Sequence, residues 1–410
     1  MSPARVAVVL SLALVACSSE DGGAASSTSG GPDATTDGVA PDGSSGGPDA
    51  ATDGAIADSP APIDAADAAP LGPLVAYASG YGPSIVVYSV GANGALNAKG
   101  TTNAFGASPS FLAVRPGSTH LYAIDEATAG KVGAYAIDRT SGALTFLNSV
   151  STQGNGPAFV SVDGTGKWAM VANYGDGTIA VLPIQADGKL GDATYTQNVG
   201  ANAHMIVADP SNQFVFVPCL GADYVAQFHL DATQGKLTPN ATPTIASAAG
   251  AGPRHIAFHP NGKLAYVINE KASTITAYTL DTTSGQLATV ESKSTLPAGF
   301  TGTNTGAEVW VHPSGAYVYG SNRGDDSIVQ LSIDVSTGKM TLVGHTKTGG
   351  TMPRSFTLEP GGAFLYAANQ GSNNVVPFAI DATKGTLTAT ASPVTLTSPS
   401  FVGVVHLPAP

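Results

Sequence analysis

Gly252-Pro253-Arg254-His255-Ile256-Ala257-Phe258-His259-Pro260-Asn261-Gly262-Lys263-Leu264-Ala265-Tyr266-Val267-Ile268-Asn269-Glu270 is the stretch whose reading decides the fold. Its apolar residues alternate, the period of a half-buried strand, and Pro260-Asn261-Gly262 is hairpin-loop chemistry. Two antiparallel strands joined at one end bring their free ends together. Arg254-His255 and Asn269-Glu270 are therefore expected side by side on one edge of a sheet.

Working outward, the second run of this hairpin recurs. Copies begin at Leu74, Leu121, Ala169, Phe214, Leu264, Tyr317 and Phe364. Counted from Tyr77, the steps are 45, 48, 46, 50, 53 and 47 residues. Most copies are followed by a short turn, another strand and the pattern Asp-x-x-x-Gly-x-Leu, as at Asp138, Asp231, Asp281 and Asp381. Four short strands per repeat with no helical period, at this spacing, predict an all-β, seven-bladed β-propeller. The first copy lacks a strand before Leu74, and the last is followed by a spare one, Phe401 to Leu407. If that strand completes the first blade, the ring closes and leaves no open edge. Residues 74–410 are thus expected to be one domain.

The N-terminus reads as an export signal. Arg5 supplies the positive charge, residues 6–14 a short apolar core, and Leu14-Val15-Ala16-Cys17 resembles the lipobox of bacterial lipoproteins. Residues 1–17 are expected to be the signal, with Cys17 lipidated. Ser18 after it, rather than Asp, would favour the outer membrane of a Gram-negative cell. Residues 18–73 are rich in Gly, Ala, Ser, Asp, Pro and Thr and contain no aromatic or basic residue. Such a segment cannot bury enough surface to offset ordering and is expected to be a disordered tether. As a Gly-rich coil it would reach roughly 40 Å. It holds ten of the acidic residues, so most of the net charge of −12 belongs to it, and the remainder from Leu74 carries about −3. A near-neutral domain argues against nucleic acid as a partner. With Cys17 lipidated, Cys219 is the only cysteine left, and no disulfide is available.

In a four-stranded blade the start of the innermost strand and the turn after the second strand share one face. Aligning the repeats places His204, Arg254, His255, Glu270, Glu308, Arg323 and Arg354 on one rim, with Glu126 and Gln370 at strand ends beside them. Charged residues make up only 11% of the chain, so their convergence marks a candidate functional site. Other polar residues repeat from blade to blade and read as structural. They include Asn173, Asn269, Asn322 and Asn369 at strand ends, with Cys219 taking the same position in its blade. His259 and His312 before prolines, and the Asp of each Asp-x-x-x-Gly turn, belong with them.

These motifs resemble the seven-bladed propeller lactonases of the 6-phosphogluconolactonase type. Gly252 to Gly262 with Asn269-Glu270, Ala307-Glu308 with Ser321 to Ile328, Val171 to Tyr174, and Pro353-Arg354 with Ala368 to Gln370 carry the resemblance, which spans nearly all of Leu74 to Pro410. The family also includes fungal muconate cyclases. Their proposed site of one His, two Arg and one Glu corresponds to His204, Arg254, Arg323 and Glu270. The resemblance implies a lactone hydrolase, and the chemistry of the four groups gives an expected division of labour: Glu270 as general base, Arg254 and Arg323 holding an acid group and polarising the carbonyl, and His204 as proton donor. His255, Glu308, Arg354, Gln370 and Glu126 would bind substrate. One segment departs from the pattern. Where many members carry Pro-Asp-Leu-Gly-x-Asp and then a basic residue, this chain reads Pro218-Cys219-Leu220-Gly221-Ala222-Asp223-Tyr224.

No cofactor is expected: no ligand cluster has metal spacing, and no Gly-rich loop precedes a helix. The expected partner is a small lactone or acidic sugar derivative, with membrane contact through the lipid anchor only and a monomeric chain. Export places the protein in the outer membrane or periplasm-facing envelope, away from cytoplasmic 6-phosphogluconolactone. The second reading, from a different class, is a non-catalytic envelope propeller binding carbohydrate, peptide or another envelope protein.

Overall fold

The structure is a computed structural model and describes residues 72–409. Cys17, the signal and most of the expected tether lie outside the described residues. Within them every regular element is a strand, and the strands form seven sheets. Blade five contains the opening stretch: Pro253–Phe258, Leu264–Asn269, Thr274–Leu280 and Leu287–Ser294 run antiparallel from the channel outward. The other blades repeat this order. Pro399–His406 pairs antiparallel with Leu74–Gly80, Leu74 opposite His406 and Gly80 opposite Pro399, and so supplies the inner strand that blade one lacks. That closing strand starts two residues earlier than the sequence pattern predicts, because Pro399 already pairs with Gly80. Blade seven departs from four strands, since Val394–Thr395 adds a short fifth against Asn374–Ile380.

Between blades, apolar faces pack on one another and a repeated polar bond pins them. Tyr77 Oη donates to the Gly142 carbonyl at 2.9 Å, Tyr122 to Gly188 at 3.1 Å, Tyr266 to Gly338 at 3.3 Å and Tyr319 to Gly385 at 3.1 Å. Each tyrosine reaches the turn of the next blade. In blade two the Asp138 carboxylate makes that turn by accepting the Thr140 and Ser141 N–H groups at 3.1 and 2.7 Å. The Asp-x-x-x-Gly pattern is therefore structural, as its recurrence implies. The strand-end residues behave likewise. Asn173, Asn322 and Asn369 each donate to the carbonyl where the preceding blade's outer strand leaves the sheet, and Cys219 Sγ meets Val199 O at 3.4 Å in the same way.

Candidate functional site

Pairing in the opening hairpin brings Pro253 opposite Asn269 and His255 opposite Ile268, leaving Arg254 as an extra residue between them. This is a β-bulge, a device that re-aims one side chain out of the sheet's alternation. The same break falls at Ala158 in blade three and at Arg354 in blade seven. In blade six it takes in Ala307 and Glu308. Arg254, His255, Glu308 and Arg354 are thus bulged residues or their successors, while Glu126, Glu270, Arg323 and Gln370 stand at the ends of second strands.

The lead-in loop is held from the neighbouring blade. Asp223 stands at φ +55° in the turn after the second strand of blade four, and its carboxylate accepts the N–H groups of Gly250 and Gly252 at 2.7 and 2.8 Å. Gly252 has φ +66°, a conformation that disfavours any residue with a Cβ, and its carbonyl accepts the Glu270 N–H at 2.7 Å. Asp326 repeats the device two blades on: at φ +53° it accepts the Met352 N–H at 2.8 Å, two residues before Arg354. The segment that departs from the family pattern therefore keeps a carboxylate whose work is to place Arg254.

Six expected residues meet as two linked groups. Glu270 Oε2 lies 3.1 Å from Arg254 Nε and 2.8 Å from Arg323 Nη2, so one carboxylate serves two guanidiniums from adjacent blades. Arg254 Nη1 also donates to the Ala307 carbonyl at 2.6 Å, and Arg323 Nη2 to that of Gly306 at 3.0 Å. His204 stands edge-on to His255, ring centroids 5.0 Å apart, and is only 5% exposed. Its Nδ1 is buried and without a hydrogen-bond partner. His255 Nδ1 lies 2.8 Å from Glu308 Oε1 beneath them.

The remaining candidates divide. Glu126 Oε2 accepts from Tyr81 Oη at 2.9 Å, and the Arg354 guanidinium sits 5.4 Å from the centre of the Tyr81 ring. Among the described residues Arg354 has no carboxylate within ion-pair distance. Gln370 is on the rim, but its side-chain oxygen is buried without a partner, and it does not join the charged cluster. Tyr81 and Tyr174 are the residues that sequence reasoning passed over. Both directly follow a second strand, but of the residues at those ends only Glu126, Glu270, Arg323 and Gln370 are candidates by sequence. Tyr174 packs edge-on against His204 at 5.4 Å.

Burial sets the electrostatics. Desolvation, followed by the positive charge of Arg254, pushes the His204 pKa well below that of a free imidazole, so the ring is neutral. Desolvation and the Arg323 and Arg354 charges push the Arg254 pKa down, against the pull of Glu270 and Glu308. Burial lifts Tyr81 to about 12. Phe111, Phe159 and Phe401 close the floor, with centroids 4.1 and 4.8 Å apart. Below them an apolar cavity of about 260 Å³ is lined by Met205, Val207, Ile256, Phe258, Val309 and Phe356, among others. Above them the polar cleft has about 10 Å³, room for about one water.

Fold and site together define a closed seven-bladed propeller with a cationic, histidine-bearing cleft at one mouth. The family described as "Lactonase, 7-bladed beta-propeller" matches residues 74–404. The 6-phosphogluconolactonase of Pectobacterium carotovorum is 35% identical over 288 residues, 70% of this chain and 84% of that protein. That of Bacillus subtilis is 34% identical over 262 residues, 61% of this chain and 74% of that protein. Among solved structures, the periplasmic gluconolactonase of Pseudomonas aeruginosa superposes with a TM-score of 0.75 at 27% identity, covering 82% of this chain and all of that one. The chain belongs to the seven-bladed β-propeller lactonase family, and its function is lactonase-type hydrolysis.

Proposed function

We propose that the cleft opens the lactone ring of a sugar acid or a related compound outside the cytoplasm. The observation that carries this is the Arg254–Glu270–Arg323 triad beside the unpaired nitrogen of His204. Two fixed guanidiniums offer donors to a carbonyl oxygen as it gains charge, or to a carboxylate. Two observations favour exchanging the roles first assigned to Glu270 and His204. Glu270 is engaged by both arginines, which makes it their anchor. His204 is neutral and its Nδ1 has no hydrogen-bond partner, which leaves it a nitrogen to take a proton.

In this reading His204 takes a proton from water as the oxygen attacks the lactone carbonyl. The two arginines stabilise the resulting oxyanion. When the ring C–O bond breaks, the imidazolium returns its proton to the departing ring oxygen, leaving a hydroxy acid. Because the cleft has room for about one water, the lactone docks on its open edge, and Arg354, Glu126 and Tyr81 contact the rest of the molecule.

An exported lipoprotein anchored through Cys17 suits an unphosphorylated aldonolactone better than a cytoplasmic phosphate ester. The periplasmic neighbour supports that choice. Fatty-acid labelling lost in Cys17→Ser would test the anchor, and gel filtration the monomer.

A pH-stat assay of the purified protein against glucono-δ-lactone, galactonolactones and 6-phosphogluconolactone tests the activity. Hydrolysis abolished by Arg254→Gln is expected. If no lactone turns over above its spontaneous rate, the catalytic reading is overturned in favour of a binding propeller.

A further inference from the structure

Each ring nitrogen of His255 meets a charged group. Nδ1 faces Glu308 Oε1 at 2.8 Å, and Nε2 lies 3.3 Å from Arg254 Nη1. A carboxylate only accepts, so Nδ1 carries the proton that Glu308 receives, and Arg254 Nη1, 3.5 Å from Nδ1 and 3.3 Å from Nε2, stands over the face of the ring. Glu308 is itself held. Its Oε1 accepts the Val309 N–H at 3.2 Å, its Oε2 lies 3.4 Å from Ser355 Oγ, and its own N–H donates to Ser321 Oγ at 2.9 Å. A continuous series of contacts therefore runs Glu308, His255, Arg254, Glu270, Arg323, its last three members joined as ion pairs.

Packing does not require an acid here. The equivalent position holds Phe111, Phe159 and Phe401 in other blades, all packing at the channel floor. Burying a carboxylate costs desolvation unless it is well paired. Blade six accepts that cost beneath the arginine that faces the substrate.

We propose that Glu308 is a positioning residue acting through His255: it holds the imidazole by Nδ1 with its face against Arg254, and thereby aims that guanidinium at the reacting carbonyl. The proposal rests on the lactone-opening reading of the cleft.

The groups facing His255 are Glu308, Arg254, Arg354 and His204, with Phe111 and Phe159 as uncharged walls. Burial pushes its pKa down, Glu308 pulls it up, and Arg254 and Arg354 push it down. Protonation would set an imidazolium against the Arg254 guanidinium, two like charges in contact, and displace the guanidinium. Removing the Glu308 charge withdraws the one group that favours the imidazolium. The acid limb of the kcat profile then moves to lower pH.

Two measurements on the full-length protein test this. Nitrogen NMR of the His255 ring reads the tautomer directly, with Nδ1 protonated and Nε2 bare as the expected result. Glu308→Gln, assayed with glucono-δ-lactone, should lower kcat between about tenfold and a hundredfold, with KM much less affected and the acid limb moved to lower pH. Glu308→Asp should recover part of the loss. A protonated Nε2 in the wild type would overturn the proposal. So would a folded Glu308→Gln protein with unchanged kcat and acid limb. If the wild type hydrolyses no lactone, the lactone reading fails, and the ring tautomer separately decides whether the His255–Glu308 arrangement stands.

Discussion

Two pairs of buried histidines lie at opposite ends of the inner strands, and they differ in how their nitrogens are used. At the hairpin end, His259 Nε2 bonds to Gly315 O at 3.0 Å, and its Nδ1 accepts the Asn261 N–H at 3.0 Å. His312 does the same one blade on, with Gly362 O at 2.9 Å and Ser314 at 2.8 Å. Both rings are saturated and tie one blade to the next. At the cleft end, His204 has a nitrogen with no partner, and His255 is set between a carboxylate and a guanidinium. Burial is much the same in all four. What separates a structural histidine from a reactive one here is whether its hydrogen-bonding capacity has been used up.

The comparison breaks most decisively at His204. Replacement by Gln should lower kcat by about a hundredfold or more while leaving the melting temperature nearly unchanged, as measured by pH-stat and calorimetry. An equal loss of both would make it a packing residue like His312. Glu270→Gln comes next. With the shared carboxylate neutralised, the buried Arg254 and Arg323 lose their counterion and repel each other, so turnover should fall at least about tenfold and stability should fall with it. A fall in stability without a separate loss of activity would make Glu270 structural.

At the other end the expectation inverts. His312→Ala strands the Gly362 carbonyl and should cost about 1–3 kcal/mol in denaturant unfolding, with kcat/KM unchanged. Acid sharpens the same contrast. His204 and His255 have folded-state pKa values below the ordinary 6.5. The unfolded chain therefore takes up protons below that pH while the folded chain does not, and stability falls as pH drops through the range beneath about 6.5. In His204→Gln part of that slope should disappear.

The smallest effect separates the seams. Tyr77→Phe removes a bond to Gly142 and should cost about 1 kcal/mol, whereas Tyr366, whose hydroxyl is buried without a partner, should tolerate Phe at no cost. Matched thermal melts of the two variants would show it.

Much of this was legible in the chain because it repeats. The strand period, the Asp-x-x-x-Gly turns and the spare C-terminal strand are local or periodic signals, and they predict seven blades, ring closure and membership of the rim. The Asn and Cys219 positions read correctly as structural for the same reason. Less visible was the division of the charged set. Glu126 and Arg354 both meet at Tyr81, a residue that attracts no notice in a list of ionisable groups. Gln370 aligns with the rim, yet its side chain takes no part in the cluster.

What the sequence determined by itself, then, is which residues share a face, since alternation and turn chemistry act over a few neighbours and recur in each repeat. Which of those residues pair was decided by the tertiary structure. Bulges at Arg254, Arg354 and Ala307–Glu308 re-aim side chains out of the strand period; Arg254–Glu270 closes within one hairpin, but the Arg323–Glu270 and His255–Glu308 pairings cross from one blade to the next. Glu270 anchoring two arginines, and an imidazole left with an open nitrogen, depend on distances between segments far apart in the chain. No periodic signal encodes those distances; they exist only once the ring has closed and water has been excluded from its mouth.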